Sequence, residues 1–384
     1  MVIRFVTIII LIFSFAAARA DTAVMVWVEF KDKESSPYSL SRPHEFLSER
    51  AIERRLKQNI SLDFYDLPVS PGYIELLLSD TTLQLYYTSR WFNGVLLKTK
   101  SQSSVDLIEH HDFVFRTEIV KPLPADTITP IVPVQSMGCT QYPMKFMSQY
   151  TLDRAFGSFP FPISGSWADY PAYGEAENQT TMLRGDALHN KGYAGKDIVI
   201  ALLDAGYRNT DSLEAFQWLR EQNRLLGYYD FVQSKAKLYQ GHAHGTYVLS
   251  VMAGHLPETF SGAAIEASYW LLRTEDAASE YRIEEYNWLA GAEFADSVGA
   301  DIINSSLGYT VFDDSLQNYT YADMDGQTTV VARAANMASD RGMLVVSSGG
   351  NYGAQNWRYI GSPADAIGVL SVGGTDEQGS RVGF

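Results

Sequence analysis

The chain has 384 residues, more than the roughly 100–200 of one ordinary domain, which points to two or three units with ample core. With 46% apolar and 20% charged residues it is not a disordered chain, and its net charge of −15 has the wrong sign for phosphate backbones or anionic lipid. Nucleic acid is therefore excluded as a partner. Cys139 stands alone, so neither an internal disulfide nor a thiolate zinc cluster forms, and packing must hold the fold, aided at most by oxygen-ligated metal.

Residues 1–20 read as a secretory signal. Arg4 precedes an apolar run that ends in Ala18-Arg19-Ala20, a small-residue pattern suited to signal peptidase, with cleavage expected before Asp21. The rival, a membrane anchor, needs about 20 apolar residues, and the run of about a dozen falls short. No later stretch is long enough to span a membrane. The expected location is secreted or cell-surface.

Residues 21–121 form an expected α+β unit. The apolar run at 24–30 predicts a strand, and Phe46, Leu47, Ile52 and Leu56 predict a helix over 43–57 that turns basic toward its end. Ser70-Pro71 caps and opens a short helix to Ser79. Strands follow at 83–88 and 93–100, then a helix near 105–110 and a strand at 113–119. Adjacent histidines diverge on a helix, so His110-His111 reads as a solvated helix end rather than a metal pair. Residues 122–173 read as an extended linker, since 8 of the 14 prolines fall there and proline suits neither helix interiors nor central strands.

From Gly174 onward 27 acidic side chains face 14 basic ones, so the acidity belongs to this half. Residues 197–203 are nearly all apolar, as in a strand buried on both faces of a parallel sheet, and Asp204-Ala205-Gly206 follows at once. A carboxylate there sits where open α/β sheets place their sites. Three readings compete: a phosphatase nucleophile, though Gly206 stands where a second Asp is expected; a metal ligand, though the companion serines are missing; or a carboxylate that orients a histidine. His244-Gly245-Thr246, at the entrance of a helix expected to turn Val248, Val251 and Met252 inward, favours the third. His242 reads as a hydrogen-bonded loop side chain. Asp323-Met324-Asp325-Gly326 has the start of a calcium loop, but the twelfth position is Ala334 rather than a bidentate Glu.

Four motifs in order carry a resemblance. Asp204-Ala205-Gly206, His244-Gly245-Thr246 with Ala253-Gly254, Ile303-Asn304-Ser305-Ser306-Leu307-Gly308 and Val345-Val346-Ser347-Ser348-Gly349-Gly350-Asn351 are similar to the subtilisin-like serine peptidases over residues 174–384. Ala205 and Gly349 replace the commoner residues of that pattern, and neither position supplies a catalytic side chain. The resemblance implies an α/β fold with a parallel sheet and helices on both faces, and a secreted serine endopeptidase acting on polypeptides. It makes Asp204 the carboxylate that holds the tautomer of His244, His244 the general base and then acid, and Asn351 the oxyanion donor. Ser306, Leu307 and Gly308 would pair with an extended peptide, and Ser348, Gly349 and Gly350 would form the facing wall of a specificity pocket left open to a large apolar residue. Ser306 and Ser348 are equally compatible with main-chain hydrogen bonds.

The family nucleophile lies in a Gly-Thr-Ser segment, and here Gly-Thr occurs only before Tyr247 and before Asp376. The expectation is a peptidase domain over 174–384 that is truncated, incomplete at its C-terminus and inactive as given. The rival from another class is a non-catalytic peptide-binding or inhibitory product. Trp27-Val28-Glu29-Phe30 and Trp91-Phe92-Asn93-Gly94-Val95 resemble prodomains of secreted members, so the first unit is expected to occupy the cleft as a prodomain; the alternative is an accessory domain. No cofactor is required for the chemistry, and the acid excess leaves room for structural calcium without assigning its ligands.

Overall fold

The computed structural model describes residues 23–123, 172–232 and 239–383. The signal expected at 1–20 and nearly all of the linker expected at 122–173 lie outside them. No helix among the described residues is long and apolar enough to cross a membrane.

The first unit runs β1 (Val24–Phe30), α1 (Glu49–Gln58), α2 (Pro71–Leu78), β2 (Leu83–Ser89), β3 (Gly94–Thr99), α3 (Gln102–Ile108) and β4 (Val114–Pro122). Its strands form an antiparallel sheet in the order β2-β3-β1-β4. The helix expected over 43–57 is broken: a 3-10 turn at Pro43–Glu45 gives way to α1, whose start is set by Ser48 accepting from the Ala51 amide at 3.2 Å. His110 is exposed at a helix end, its Nδ1 2.6 Å from the Asp106 carbonyl, as expected of a solvated terminus.

The second unit opens with α4 (Glu177–Met182) and α5 (Gly185–His189), followed by β5 (Val199–Asp204), α6 (Gln217–Glu221), β6 (Leu225–Asp230) and α7 (His244–Ala253). A small hairpin of β7 (His255–Leu256) and β8 (Phe260–Ser261) leads to β9 (Ser268–Arg273), α8 (Ile283–Val298), β10 (Ile302–Ser305), α9 (Val330–Asp340), β11 (Leu344–Ser348) and β12 (Val369–Val372). Six strands make a parallel sheet in the order β12-β11-β10-β5-β9-β6. Ile200, Leu202, Tyr269 and Leu271 pack on the α7 side with Leu249 and Ala253. Ala201, Leu203, Trp270 and Leu272 pack on the opposite side with α8 and α9. The continuous apolar run of β5 thus reflects two covered faces, as the sequence predicts.

Helix α8 lies between the two sheets, and of its 16 residues all but Ser297 are buried. Trp27 of β1 stacks on Tyr286 with ring centroids 4.7 Å apart. Tyr87 donates to Asn287 at 2.9 Å, and Ser89 donates its hydroxyl to Glu293, which also accepts from the Arg90 amide at 3.0 Å. Asp296 receives the guanidinium groups of Arg54, Arg55 and Arg90, all from the first unit. Burial alone would raise the Asp296 carboxyl, but Arg55, Arg90 and Arg54 outweigh it and hold the group well below the usual carboxylate range. Gly299 ends the helix in the left-handed region at φ +80°, and a Cβ there would meet the Arg50 side chain at 2.7 Å.

Removing Asp296 takes a shared carboxylate from three buried guanidinium groups, of which Arg55 alone keeps a second one in Asp66 at 2.8 Å, so Asp296→Ala is expected to destabilise the whole chain by about 3–5 kcal/mol, read from the denaturant midpoint at neutral pH. Because the folded carboxyl is depressed, its contribution is full above the unfolded value of about 3.9 and fades as pH falls through the folded one. A loss below about 1 kcal/mol would show that the arginines find water or other partners instead.

Candidate active site

Asp204 is the last residue of β5, at the carboxyl edge of the sheet where β10 and β11 also end. Its side chain is 1% exposed. One carboxylate oxygen accepts from the Ala205 amide at 2.7 Å, which fixes its rotation. His244, the first residue of α7, presents Nδ1 to both oxygens, at 2.8 and 3.0 Å. Of the three readings left open for Asp204, this geometry matches the carboxylate that orients a histidine.

Two glycines make that approach sterically feasible. The Gly245 amide donates to the Gly206 carbonyl at 3.0 Å, and a Cβ on Gly245 would meet that carbonyl oxygen and the Tyr207 ring, each at 2.7 Å. A Cβ on Gly206 would meet the His242 carbonyl oxygen at 2.7 Å. Any side chain at either place would push the α7 entrance off β5. His242 is exposed, and its Nδ1 accepts from the His244 amide at 3.2 Å, so it serves the loop as the sequence reading proposed.

The inward face of α7 agrees with the expected one at Val248 and Met252, which pack half-buried against the core, and differs at Val251. Val251 is 54% exposed, while Gly245, Leu249 and Ala253 are buried. The close packing of Gly245 on Tyr207 sets the phase, and residues four and eight further on follow it inward.

The His244 imidazole has its pKa raised above the ordinary value, chiefly by the hydrogen bond to Asp204, against the opposing effect of burial. Asp204 and Glu275 add electrostatic attraction for the proton. Among the described residues no hydrogen bond occupies Nε2 of His244, so that nitrogen is left to act on something else.

The expected substrate residues flank the same sheet edge. Ser306, Leu307 and Gly308 continue from β10, with Leu307 buried and its neighbours half-buried. Ser348 ends β11 and accepts from the Gly350 amide at 3.1 Å, one of the two roles foreseen for it. Asn351 is exposed just beyond, and its carbonyl accepts from Gln355 at 3.0 Å.

The pocket between these walls is not open. Tyr352 donates to the Gly308 carbonyl at 2.8 Å, and a Cβ on Gly350 would meet its ring at 2.3 Å. Gly350, at φ +88°, makes room for this ring rather than for a ligand. Sequence reasoning missed Tyr352 because only folding brings it across to Gly308. Beyond it lies an aromatic cleft of about 760 Å³ lined by Thr310, Tyr321, Tyr352 and Trp357 among others.

Two groups of acids invite a metal reading. Asp323 and Asp325 do not form one site: Asp323 caps Thr320 at 2.7 Å, and Asp325 caps the amides of Gln327 and Thr328 at 2.8 and 2.7 Å. Glu275, Glu280 and Glu284, between β9 and the start of α8, instead bring ligand oxygens within 4.8 Å of one another.

Comparison with known proteins agrees with the four motifs. Residues 195–384 match the Subtilase family, and residues 25–131 match the Peptidase S8 propeptide domain, Bacteroidota. Subtilisin BL of Lederbergia lenta is 26% identical over 204 residues, covering 53% of this chain and 65% of its own. The minor extracellular protease Vpr of Bacillus subtilis (strain 168) is 31% identical over 188 residues, covering 48% of this chain and 21% of its own. Subtilisin E of the same organism is 27% identical over 209 residues, covering 53% and 48%. The chain thus spans less than two thirds of each of these relatives. Among solved structures, MycP1 from Mycobacterium smegmatis is 20% identical with a TM-score of 0.40, covering 58% of this chain and 61% of that one. The chain belongs to the subtilase family, with an S8 propeptide domain ahead of its subtilase domain.

Proposed function

We propose that this chain is the precursor of a secreted serine endopeptidase, in which Asp204 and His244 are two members of an Asp-His-Ser triad. The observation that carries this reading is the buried Asp204 carboxylate gripping Nδ1 of His244 while Nε2 stays free. In this reading Asp204 fixes the tautomer and stabilises the imidazolium, and His244 takes a proton from a serine hydroxyl and returns it to the leaving amine. The serine belongs to a Gly-Thr-Ser segment, which the 384 residues do not contain, so the chain by itself is inactive. Asn351 donates its amide to the oxyanion, and Ser306, Leu307 and Gly308 pair with the extended substrate opposite Ser348, Gly349 and Gly350. The propeptide domain, docked on α8 at its β-sheet face, occupies the cleft until it is cut away. Export rests on the residue pattern of 1–20 and on a relative described as extracellular.

In a form of the protein that carries the nucleophile segment, His244→Ala is expected to abolish peptide hydrolysis and propeptide release. Asp204→Asn should lower kcat by about 10⁴, and Asn351→Ala by about 10²–10³. Full activity in either of the first two variants, measured on a chromogenic peptide, would remove the pair from the mechanism.

The chain as it stands permits a second measurement. The NMR titration of His244 should give a midpoint above the ordinary value of about 6.5, and Asp204→Asn should bring it down. Since the folded value is the raised one, the pair stabilises the fold fully below about 6.5, and this contribution fades as pH rises through the folded midpoint. A midpoint unchanged by Asp204→Asn would contradict the coupling.

Tyr352 restricts the primary pocket in this reading. Tyr352→Ala is expected to raise kcat/KM for substrates with a large apolar residue before the scissile bond by roughly 10–200-fold relative to small ones. An unchanged ratio would place the specificity elsewhere.

A further inference from the structure

Helix α8 buries four carboxylates, and three of them have clear partners. Glu285 accepts from the Tyr319 hydroxyl at 2.6 Å and the Val331 amide at 3.2 Å. Glu293 is held by Ser89 and the Arg90 amide, and Asp296 by three guanidinium groups. Glu284 is the exception. It is 0% exposed, and among the described residues neither of its carboxylate oxygens has a hydrogen-bond partner.

What Glu284 faces makes the exception sharper. Its oxygens approach those of Glu275 and Glu280 within 4.8 Å, so three carboxylates converge where one would already be costly to bury. Lys121 of β4, a cation that acts on Glu284, is committed to the Ser279 hydroxyl at 2.8 Å and to Asp276 at 3.3 Å. Arg282 is turned to Glu118 at 3.0 Å and to the Gln317 carbonyl. Burial first, then the charge of Asp204, pushes Glu275 up to about 7; burial first, then Glu275, pushes Glu280 to about 8; and burial first, then Glu280 and Glu275, pushes Glu284 to about 10. Buried carboxylates without a counter-charge are tolerated when they coordinate a metal.

We propose that Glu275, Glu280 and Glu284 bind a calcium ion in the connection between β9 and α8. Oxygens up to 4.8 Å apart suit one ion at their centre with calcium–oxygen distances of about 2.4 Å. The donor set is all carboxylate oxygen, which favours a hard cation, and calcium accepts irregular shells completed by water where magnesium demands a near-ideal octahedron. The ion neutralises the trio and ties the connection to the peptide strand, because the Tyr309 hydroxyl, directly after Gly308, lies 3.5 Å from the Glu275 carboxylate. The site needs neither a nucleophile nor a substrate, so it stands independently of the proposed activity.

The test uses the full 384-residue chain, with Tb³⁺ as a luminescent probe and Ca²⁺ as competitor, and thermal melts in calcium and in EGTA. Tyrosine-sensitised terbium emission is expected, and calcium should displace it with a Kd of about 10⁻⁴–10⁻³ M, the range of extracellular sites. Glu284→Gln should melt no lower than the parent in EGTA, and lower than the parent in calcium, because it loses the ion. If that variant fails to fold, the half-buried Glu280→Gln gives the same reading, with calcium affinity lowered at least tenfold. Calcium shifts equal in parent and variants would place the ion elsewhere and overturn the proposal. So would stabilisation by a lysine peptide but not by calcium, which would assign the trio to a cationic side chain.

Discussion

Three guanidinium groups on one dry carboxylate, Asp296, set the position of nearly everything else. Arg54 and Arg55 arrive from α1 and Arg90 from the β2–β3 turn, so a helix and a sheet of the first unit are fixed by the same point on α8. Helix α8 in turn lies under the parallel sheet, and its Trp288 indole donates to the Ser305 hydroxyl at the end of β10 at 2.9 Å. A continuous path of packed groups therefore runs from the docking arginines to the strand that leads into Ser306, Leu307 and Gly308. Shifting α8 would move that edge of the sheet with it.

The Asp204–His244 pair depends on a different constraint, the crossing of Gly206 under Gly245. Their hydrogen bond and the absence of two side chains bring α7 against the end of β5. The electrostatics follow from that contact. Asp204 is buried with one oxygen held by Ala205, leaving its remaining capacity for the imidazole of His244, a side chain that is 41% exposed. One ring nitrogen is fixed in a polar, water-poor place, and among the described residues the other is left without a hydrogen bond.

Much of this was legible in the residues. The apolar run into Asp204, the His-Gly-Thr at a helix start and the glycines beside both report strictly local demands: two covered faces, a rigid mount and close backbone approach. What was not legible depends on distant partners. Glu285, Glu293 and Asp296 look like the polar face of a surface helix, and only folding brings Tyr319, Ser89 and the three arginines to them. The break of the first helix at Ser48 was readable as a cap yet was hidden by apolar spacing that continued across it. The inward phase of α7 and the ring of Tyr352 over Gly308 were set by tertiary contact alone.

The composition of the seam on α8 bears on how the two units hold together. A seam of aromatic and aliphatic groups alone would be adhesive and, once opened, would expose a large apolar patch prone to aggregation. Here Trp27 and Tyr286 alternate with Arg54, Arg55, Arg90, Glu293 and Asp296. Buried ion pairs add little net stability over apolar groups of the same size, because desolvation offsets their attraction. On opening, that desolvation is recovered as both charged surfaces hydrate. The arginines therefore fix how the first unit docks more than how tightly it holds.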